Sequence, residues 1–195
     1  MSTSARTSSP VSASTNRWST KQLVTMALMC AISIVLSFIE FSIFPSAAFL
    51  KLDISLVPAA VVGFAYGPVS GVVVGLVCAL AHAVISGNWV GAIMNTIMTL
   101  AIVVPSAAIY KKFRTFKGAI VSLVVGAVVM VALAGPANIL VDPLYGIPAE
   151  AVIEYMPIII AFNVIKAVVI AALTGIVYKA ISNLITPEKN RVKGR

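Results

Sequence analysis

The sequence predicts an all-α membrane protein with six transmembrane helices, and composition and pattern both support this fold class. The chain has 195 residues, of which 60% are hydrophobic and 10% charged. Its mean hydropathy of +1.05 is far above that of ordinary soluble domains. Apolar runs of about 20 residues, long enough to cross a bilayer as helices, recur along the chain. We expect one membrane domain at residues 20–186, a disordered cytoplasmic tail at 1–19 and a basic cytoplasmic tail at 187–195.

Proline, glycine and charged residues mark the ends of the predicted helices. In chain order the helices cover residues 20–41, 54–66, 69–85, 90–110, 118–141 and 156–184. The second helix is shorter than a usual span, so we expect it to be tilted or partly buried in protein. The fifth contains Gly135-Pro136, which should kink it. Residues 142–154 are expected to form a loop before the sixth helix.

The distribution of charge predicts the orientation in the cell membrane. With the N-terminus inside, 12 of the 14 basic residues fall on the cytoplasmic side, and only Lys51 and Lys166 do not. Five of the six acidic residues fall on the outer side, the exception being Glu188. This asymmetry follows the positive-inside rule and places both termini in the cytoplasm. The net charge of +8 is therefore explained by topology, and nucleic-acid binding is not needed to account for it.

Asn163 and Lys166 form a polar pair inside the otherwise apolar sixth helix. Because they are three positions apart, they share one face of that helix. A lysine near the middle of a membrane costs about 3 kcal/mol on insertion scales, which indicates a functional site. The structural alternative is that Lys166 snorkels to the surface or pairs with Glu154 or Asp142.

Further candidates lie on the outer side. Residues 43–53 are apolar for a solvated loop, so we expect them either to fold back over the helices as a lid or merely to pack on the outer surface. Asn138, near the end of the fifth helix, and Tyr145 lie on the same side. We expect Asn138, Asn163 and Lys166 to converge in a cavity that opens outward. For Asn138, a capping or interhelical hydrogen bond is an equal alternative.

Small residues at every fourth position allow helices to approach closely. Gly63, Gly67, Gly71 and Gly75 have this spacing, and we interpret them as internal packing positions. Ala27 and Ala31 repeat the spacing in the cytoplasmic half of the first helix, where they could dock an external partner.

Signals of catalysis are missing from the sequence. His82 is the only histidine and has no Cys or carboxylate at ligand spacing, so we interpret it as a core residue and expect no metal site. A glycine-rich phosphate loop between a strand and a helix is not found, and the serines lack a nearby base. We therefore expect a binding protein, not an enzyme, that depends on other subunits for energy.

Four segments of the sequence carry a family resemblance. They are Phe49-Leu50-Lys51-Leu52-Asp53, residues 63–68 (GFAYGP), Asn138 with Pro143-Leu144-Tyr145, and Phe162-Asn163-Val164-Ile165-Lys166. These segments resemble motifs of riboflavin-specific S components, the substrate-binding subunits of energy-coupling factor (ECF) transporters. The resemblance covers residues 20–185. The chain departs from the family pattern at Leu56, often acidic there, and at Met94-Asn95-Thr96, where an Ala-Asn-Phe-like string is usual.

The resemblance implies the S-component fold with a long extracellular first loop, and a site for riboflavin. The site residues that it implies are Phe49, Leu50, Lys51, Asn95, Asn138, Tyr145, Asn163 and Lys166. Asparagine amides and the Lys166 ammonium suit the carbonyl and N–H groups of the flavin ring. Phe49, Trp89 or Tyr145 would supply a flat wall for this ring. No cofactor is expected beside the transported riboflavin.

The resemblance also implies the partners and the mode of transport. A transmembrane coupling subunit would dock on Ala27 and Ala31, which match the family's first-helix motif, and two cytoplasmic ATPases would drive uptake. Two alternatives stay open: an S component for another vitamin, and a membrane protein unrelated to transport in which the Asn163–Lys166 pair only joins helices.

Overall fold

The computed structural model describes residues 18–185, and nearly all of this part is helical. The helices are α1 (Thr20–Ser37), α2 (Leu56–Tyr66), α3 (Pro68–Ser86), α4 (Trp89–Lys112), α5 (Phe116–Val141), α6 (Ala149–Glu154) and α7 (Met156–Ile185). The tails predicted at 1–19 and 187–195 lie outside the described residues, apart from positions 18 and 19.

All six helices predicted from the apolar runs are present, with ends that differ by a few residues; the predicted sixth helix is α7. Among the described residues, five helices are long and apolar enough to cross a membrane: α1, α3, α4, α5 and α7. Helix α2 has only 11 residues, too few to cross a bilayer. The count of six spans therefore stays a prediction.

Helix α2 forms the centre of the bundle. It packs against α1, α3, α4 and α7, and residues 56–65 are all buried. Helix α3 approaches it closely because Gly71 has no side chain: a Cβ there would lie 2.6 Å from the Ala59 carbonyl oxygen. A Cβ at Gly75 would lie 2.4 Å from Thr99 of α4. The packing role predicted for the spaced glycines is confirmed at these positions.

The connection between α1 and α2 contains short elements that the apolar pattern did not predict. Strands β1 (Phe41–Ser42) and β2 (Lys51–Leu52) pair antiparallel, and a 3-10 turn covers Pro45–Ala47. We refer to residues 43–53 as the lid. Its buried side chains pack against α6 and α7, in a cluster of Ala47, Leu50, Leu52, Val152, Ile159 and Phe162. The apolar composition of the lid is explained by this contact with the helices.

The expectation of a plain loop at residues 142–154 is wrong. A 3-10 turn covers Asp142–Tyr145, and α6 follows after Gly146, whose φ of +79° suits glycine. Pro148 precedes α6 in an extended conformation, and Glu150 lies in its first turn, where a negative charge stabilises a helix. Six residues are too few for a helical repeat to be visible in the sequence.

Candidate ligand-binding site

Lys166 lies ten residues after the start of α7 and is almost completely buried, with 4% of its surface exposed. Its ammonium Nζ lies 3.0 Å from Asp53 Oδ2, and the Asp53 side chain is equally buried. Nζ also lies 3.3 Å from Asn95 Oδ1 on α4. Lys166 therefore neither snorkels nor pairs with Glu154 or Asp142, since its partner is the aspartate at the end of the lid.

Local contacts hold Asp53 in its ionised form. The backbone N–H of Ser55 donates to Asp53 Oδ1 at 2.9 Å, and the Ser55 hydroxyl donates to the same oxygen. Burial raises the pKa of the Asp53 carboxyl, but the Lys166 ammonium and the Ser55 donors outweigh burial and hold the pKa below its usual value. Asp53 is therefore a carboxylate at neutral pH, placed against the Lys166 side chain.

The same contacts connect α7 to α1. The Ser55 carbonyl oxygen accepts a hydrogen bond from the Ser33 hydroxyl, and Ser33 is fully buried on α1. A continuous polar chain thus runs from Lys166 through Asp53 and Ser55 to α1. Buried polar groups in such chains restrict one another's positions, so the floor of the site is fixed relative to α1.

Lys166 lies on the wall of a cavity between the lid and helices α4, α5 and α7, which we refer to as the polar cavity. All eight site residues implied by the family resemblance line it: Phe49, Leu50, Lys51, Asn95, Asn138, Tyr145, Asn163 and Lys166. Polar residues that were not predicted as site residues line it as well: Glu40, Asp53, His82, Asn88 and Asp142. The structure thus brings the predicted residues together from the lid and from four helical or turn segments.

Asn138 and Asn163 are both held by their own helices. Asn138 Nδ2 donates to the Ala134 carbonyl oxygen at 2.7 Å, and Asn163 Nδ2 donates to the Ile159 carbonyl oxygen at 2.9 Å. Each bond uses one of the two amide hydrogens and fixes the side-chain rotamer. The amide oxygen and the second hydrogen stay available for other partners, as a binding role requires.

The outer rim of the polar cavity is more exposed than its floor. Lys51 forms an ion pair with Glu40, with 45% and 25% of the two side chains exposed. The Tyr145 hydroxyl donates to Asn88 Oδ1 at 2.7 Å. Phe49 and Tyr145 are therefore available as aromatic walls. Trp89, the third aromatic candidate, is 55% exposed at the start of α4 and does not line the cavity, so its role stays a prediction.

The polar cavity has a volume of about 70 Å³. Sites for drug-sized molecules usually measure about 300–1,000 Å³. A ligand the size of a vitamin therefore enters only if the lid or the side chains beneath it move outward. The part of the lid before Asp53 is held by a small apolar cluster and a two-residue strand pair, so this part is suited to such movement while Asp53 stays paired with Lys166.

A larger groove of about 1010 Å³ lies between α5 and α7. Its walls are almost entirely apolar and include Phe64, Tyr110, Leu123, Val128, Ala171 and Tyr178. Polar groups fix the orientation and identity of a polar ligand, and this groove offers few of them. The polar cavity is thus the better candidate for a ligand site, although it is smaller.

Asp53 and Asp142 are the two buried carboxylates among the cavity residues that sequence reasoning missed. Sequence reasoning misses the role of Asp53 because its contact with Lys166 joins residues 113 positions apart. Asp142 is the first residue of the loop predicted at residues 142–154, where no role is indicated for it. One signal that could have found Asp53 is the demand of a buried lysine for a carboxylate, combined with the resemblance of the lid sequence to a binding motif.

Ala27 and Ala31 are exposed on α1. Large apolar side chains beside them are exposed as well, including Val24, Leu28 and Val35. This face of α1 is turned away from α2 and α3 and is available either to lipid or to a protein partner.

A bundle of apolar helices that holds a buried ion pair and several amides beneath a lid defines a membrane protein that binds a small polar molecule. Residues 21–178 match the family model of the substrate-specific component of ECF transporters. The chain therefore belongs to this family of transporter components, as the sequence motifs predicted.

Relatives and solved structures agree with this assignment. The chain is 33% identical to riboflavin transporter RibU of Staphylococcus aureus, over 87% of this chain and 95% of the relative. It is 29% identical to riboflavin transporter FmnP of Bacillus subtilis, over 81% and 90% of the two chains. The solved S component of a bacterial ECF transporter superposes with a TM-score of 0.74 at 34% identity, over 86% of this chain and 98% of that one.

The fold is shared more widely than the sequence. The structure of ThiT from Listeria monocytogenes superposes with a TM-score of 0.61 at 19% identity, over 85% of this chain and 97% of that one. The S-component fold predicted from the motifs is confirmed by these superpositions.

Proposed function

We propose that the chain is the riboflavin-binding S component of an ECF-type importer in the cell membrane, with both termini in the cytoplasm. The observation that carries the proposal is the convergence of all eight implied site residues on one cavity around the buried Lys166. Two relatives that match over most of their length are named riboflavin transporters.

The hydrogen-bonding groups of the polar cavity suit riboflavin. One edge of the flavin ring alternates carbonyl oxygens with an N–H group, and the molecule is uncharged. Lys166 can only donate, so it would bind a ring carbonyl, whereas the amides of Asn95, Asn138 and Asn163 can both donate and accept. Phe49 and Tyr145 provide apolar faces for the ring.

The lid would close over the bound vitamin. Phe49, Leu50 and Lys51 lie on the wall of the polar cavity, and their backbone groups can bind the hydroxyls of the ribityl chain. Opening of the lid would enlarge the cavity from its present volume and admit the ligand from outside. Closure would bury most of the vitamin's surface, which favours tight binding.

Energy for uptake would come from partners. A transmembrane coupling subunit would dock on the exposed face of α1 at Ala27 and Ala31, and two cytoplasmic ATPases would drive release of the vitamin inside. Small side chains on this face allow close approach of a partner helix. The chain itself binds the substrate and does not catalyse a reaction.

Titration of the detergent-purified protein with riboflavin tests the proposal, with quenching of flavin fluorescence as the signal. We expect saturable quenching at micromolar riboflavin or below. Lys166→Met should weaken binding by roughly 10-fold or more, because it removes a charged donor to the ring. Lys179→Met, which changes an exposed lysine on the same helix, is the matched control and should bind normally. Absence of quenching by the unmodified protein would show that the proposal is wrong.

A second experiment separates docking from binding. Ala27→Trp and Ala31→Trp should leave riboflavin affinity unchanged in the purified protein and abolish riboflavin uptake by cells that contain the partner subunits. Val121→Trp places the same large side chain at an exposed position of α5 and should leave uptake intact. Loss of affinity in the alanine variants would argue against a separate docking face.

A further inference from the structure

Asp142 is a buried carboxylate that the proposed binding mode leaves without a role. It lies directly after α5, on the wall of the polar cavity, and only 2% of its surface is exposed. Among the described residues, its Oδ2 atom has no hydrogen-bond partner. A buried polar atom without a partner carries a desolvation penalty, and such atoms in folded proteins call for a specific explanation.

The position of Asp142 relative to Asn138 indicates what it faces. The two residues are four positions apart, and the Asp142 backbone N–H donates to the Asn138 carbonyl oxygen, as in a continuing helix. Their side chains therefore share one face, with Asp142 about one turn, or roughly 6 Å, nearer the outer end. A ligand whose ring lies against Asn138 and Lys166 would extend toward Asp142 with its other end.

The charges at this outer end do not neutralise Asp142. Lys51 is the nearby cation on the cavity wall, and it is paired with Glu40. In the described part of the chain, no ion pair involves Asp142. The outer end thus has a surplus of negative charge and of hydrogen-bond acceptors, whereas Lys166 supplies a donor at the floor.

We propose that Asp142 is a specificity-determining residue that accepts hydrogen bonds from the hydroxyl chain of the ligand and disfavours a phosphorylated chain. This inference rests on the proposed function, since it assumes a flavin in the polar cavity. Hydroxyl groups can donate to the Oδ2 atom and satisfy it. A phosphate monoester carries a charge of about −1.5 to −2 at pH 7, so the carboxylate repels it. Asp142 therefore selects riboflavin against its phosphate ester, FMN.

Binding measurements with three flavins distinguish a specificity role of Asp142 from a purely structural role. Riboflavin has the hydroxyl chain, lumiflavin has a methyl group in its place, and FMN has the chain with a terminal phosphate. In fluorescence titrations of the full-length protein, Asp142→Ala should weaken riboflavin binding about 10-fold or more, because a hydrogen bond to a charged group is lost. Lumiflavin affinity should change by less than about twofold, since lumiflavin does not reach this carboxylate.

The FMN measurement tests the electrostatic part of the proposal. The unmodified protein should prefer riboflavin to FMN, and Asp142→Asn, which removes only the charge, should reduce that preference severalfold. Glu150→Ala removes an exposed carboxylate from the following helix and is the matched control, with no change expected for any of the three flavins.

The flavin titrations test the role of Asp142 and the proposed function separately. A selective loss of riboflavin affinity, with lumiflavin affinity retained, supports the proposal and also shows that the variant is folded. Equal losses for riboflavin and lumiflavin, or an unchanged riboflavin-to-FMN ratio in Asp142→Asn, overturn it while leaving the proposed function intact. Failure of the unmodified protein to bind any flavin overturns the proposed function together with this inference.

Discussion

The polar cavity and the aromatic cluster of Phe64, Tyr110 and Tyr178 share helices α4 and α7 but are held together by different interactions. In the aromatic cluster, Phe64 stacks on Tyr110 with ring centroids 4.5 Å apart, and Tyr178 meets both rings edge-on at 5.3 and 5.5 Å. In the polar cavity, helix α7 contributes an ammonium that is paired with a carboxylate. Lys166 and Tyr178 are 12 positions apart on α7, or roughly 18 Å.

The different interactions in the polar cavity and the aromatic cluster indicate that the two regions have different roles. Aromatic pairs contribute about 0.5–1.5 kcal/mol each beyond their burial, and they need no ligand to do so. A buried ion pair gains little net stability, because desolvation of both charges offsets their attraction. We therefore expect the aromatic cluster to stabilise the fold and the polar cavity to be retained for binding.

The largest effect is expected from breaking the buried ion pair. Lys166→Met leaves the Asp53 carboxylate buried without its cation, which should lower the free energy of unfolding by about 3–5 kcal/mol. Thermal unfolding in detergent measures this loss. The double variant Lys166→Met/Asp53→Asn removes both charges and should recover most of the stability without recovering riboflavin binding. If the double variant binds riboflavin normally, the pair is structural and the division of tasks is wrong.

Acid should break the same ion pair without a mutation. The resulting loss in the free energy of unfolding should be no larger than that caused by Lys166→Met. Because the folded protein lowers the pKa of Asp53, this carboxylate stabilises the fold at any pH above its unfolded value of about 3.9. That stability is lost as the pH falls through the lower, folded pKa. The difference in melting temperature between the unmodified protein and Asp53→Asn should persist from pH 8 to about pH 4 and narrow below it. A difference that already disappears near pH 6 would contradict an ionised pair.

An intermediate effect is expected in the aromatic cluster. Phe64→Leu removes both ring contacts of Phe64 but keeps an apolar side chain, so the free energy of unfolding should fall by about 1–2 kcal/mol. Riboflavin affinity, measured in parallel, should change by less than about twofold. A large loss of affinity would show that the two regions are not independent.

The smallest effect is expected at the rim. Lys51→Gln breaks an ion pair whose side chains are 45% and 25% exposed, and such pairs contribute about 0–1 kcal/mol. The melting temperature should therefore change little, and any change should shrink further in high salt. A loss as large as that of Lys166→Met would mean that the rim pair is as important to the fold as the buried pair.

The sequence was sufficient to predict the helices and most of the cavity wall, for a clear physical reason. In lipid, a helix needs an uninterrupted apolar run, and a polar side chain inside such a run stands out, as Asn163 and Lys166 do. The family resemblance added Asn95, which no pattern of apolarity singles out, and it assigned a binding role to Phe49, Leu50 and Lys51 of the apolar lid.

The remaining features depend on contacts between distant parts of the chain. Asp53 belongs to the site only because the lid packs against α7. The sequence alone does not show that Asp53 and Lys166 are in contact. Helix α6 is too short to show a periodic pattern, and Asp142 precedes a proline, which is typical of a turn. Each of these residues was visible in the sequence, but its role required the folded chain.

The neutrality of the Lys166–Asp53 pair has a consequence for the energetics of transport. A single charge that crosses a membrane exchanges about 2.3 kcal/mol with the electrical potential for every 100 mV. The ammonium and carboxylate lie 3.0 Å apart and their charges are opposite, so the pair as a unit has no net charge. If the vitamin is released inside by a movement of the cavity floor across the membrane, this pair exchanges no energy with the membrane voltage, and an uncharged vitamin adds none.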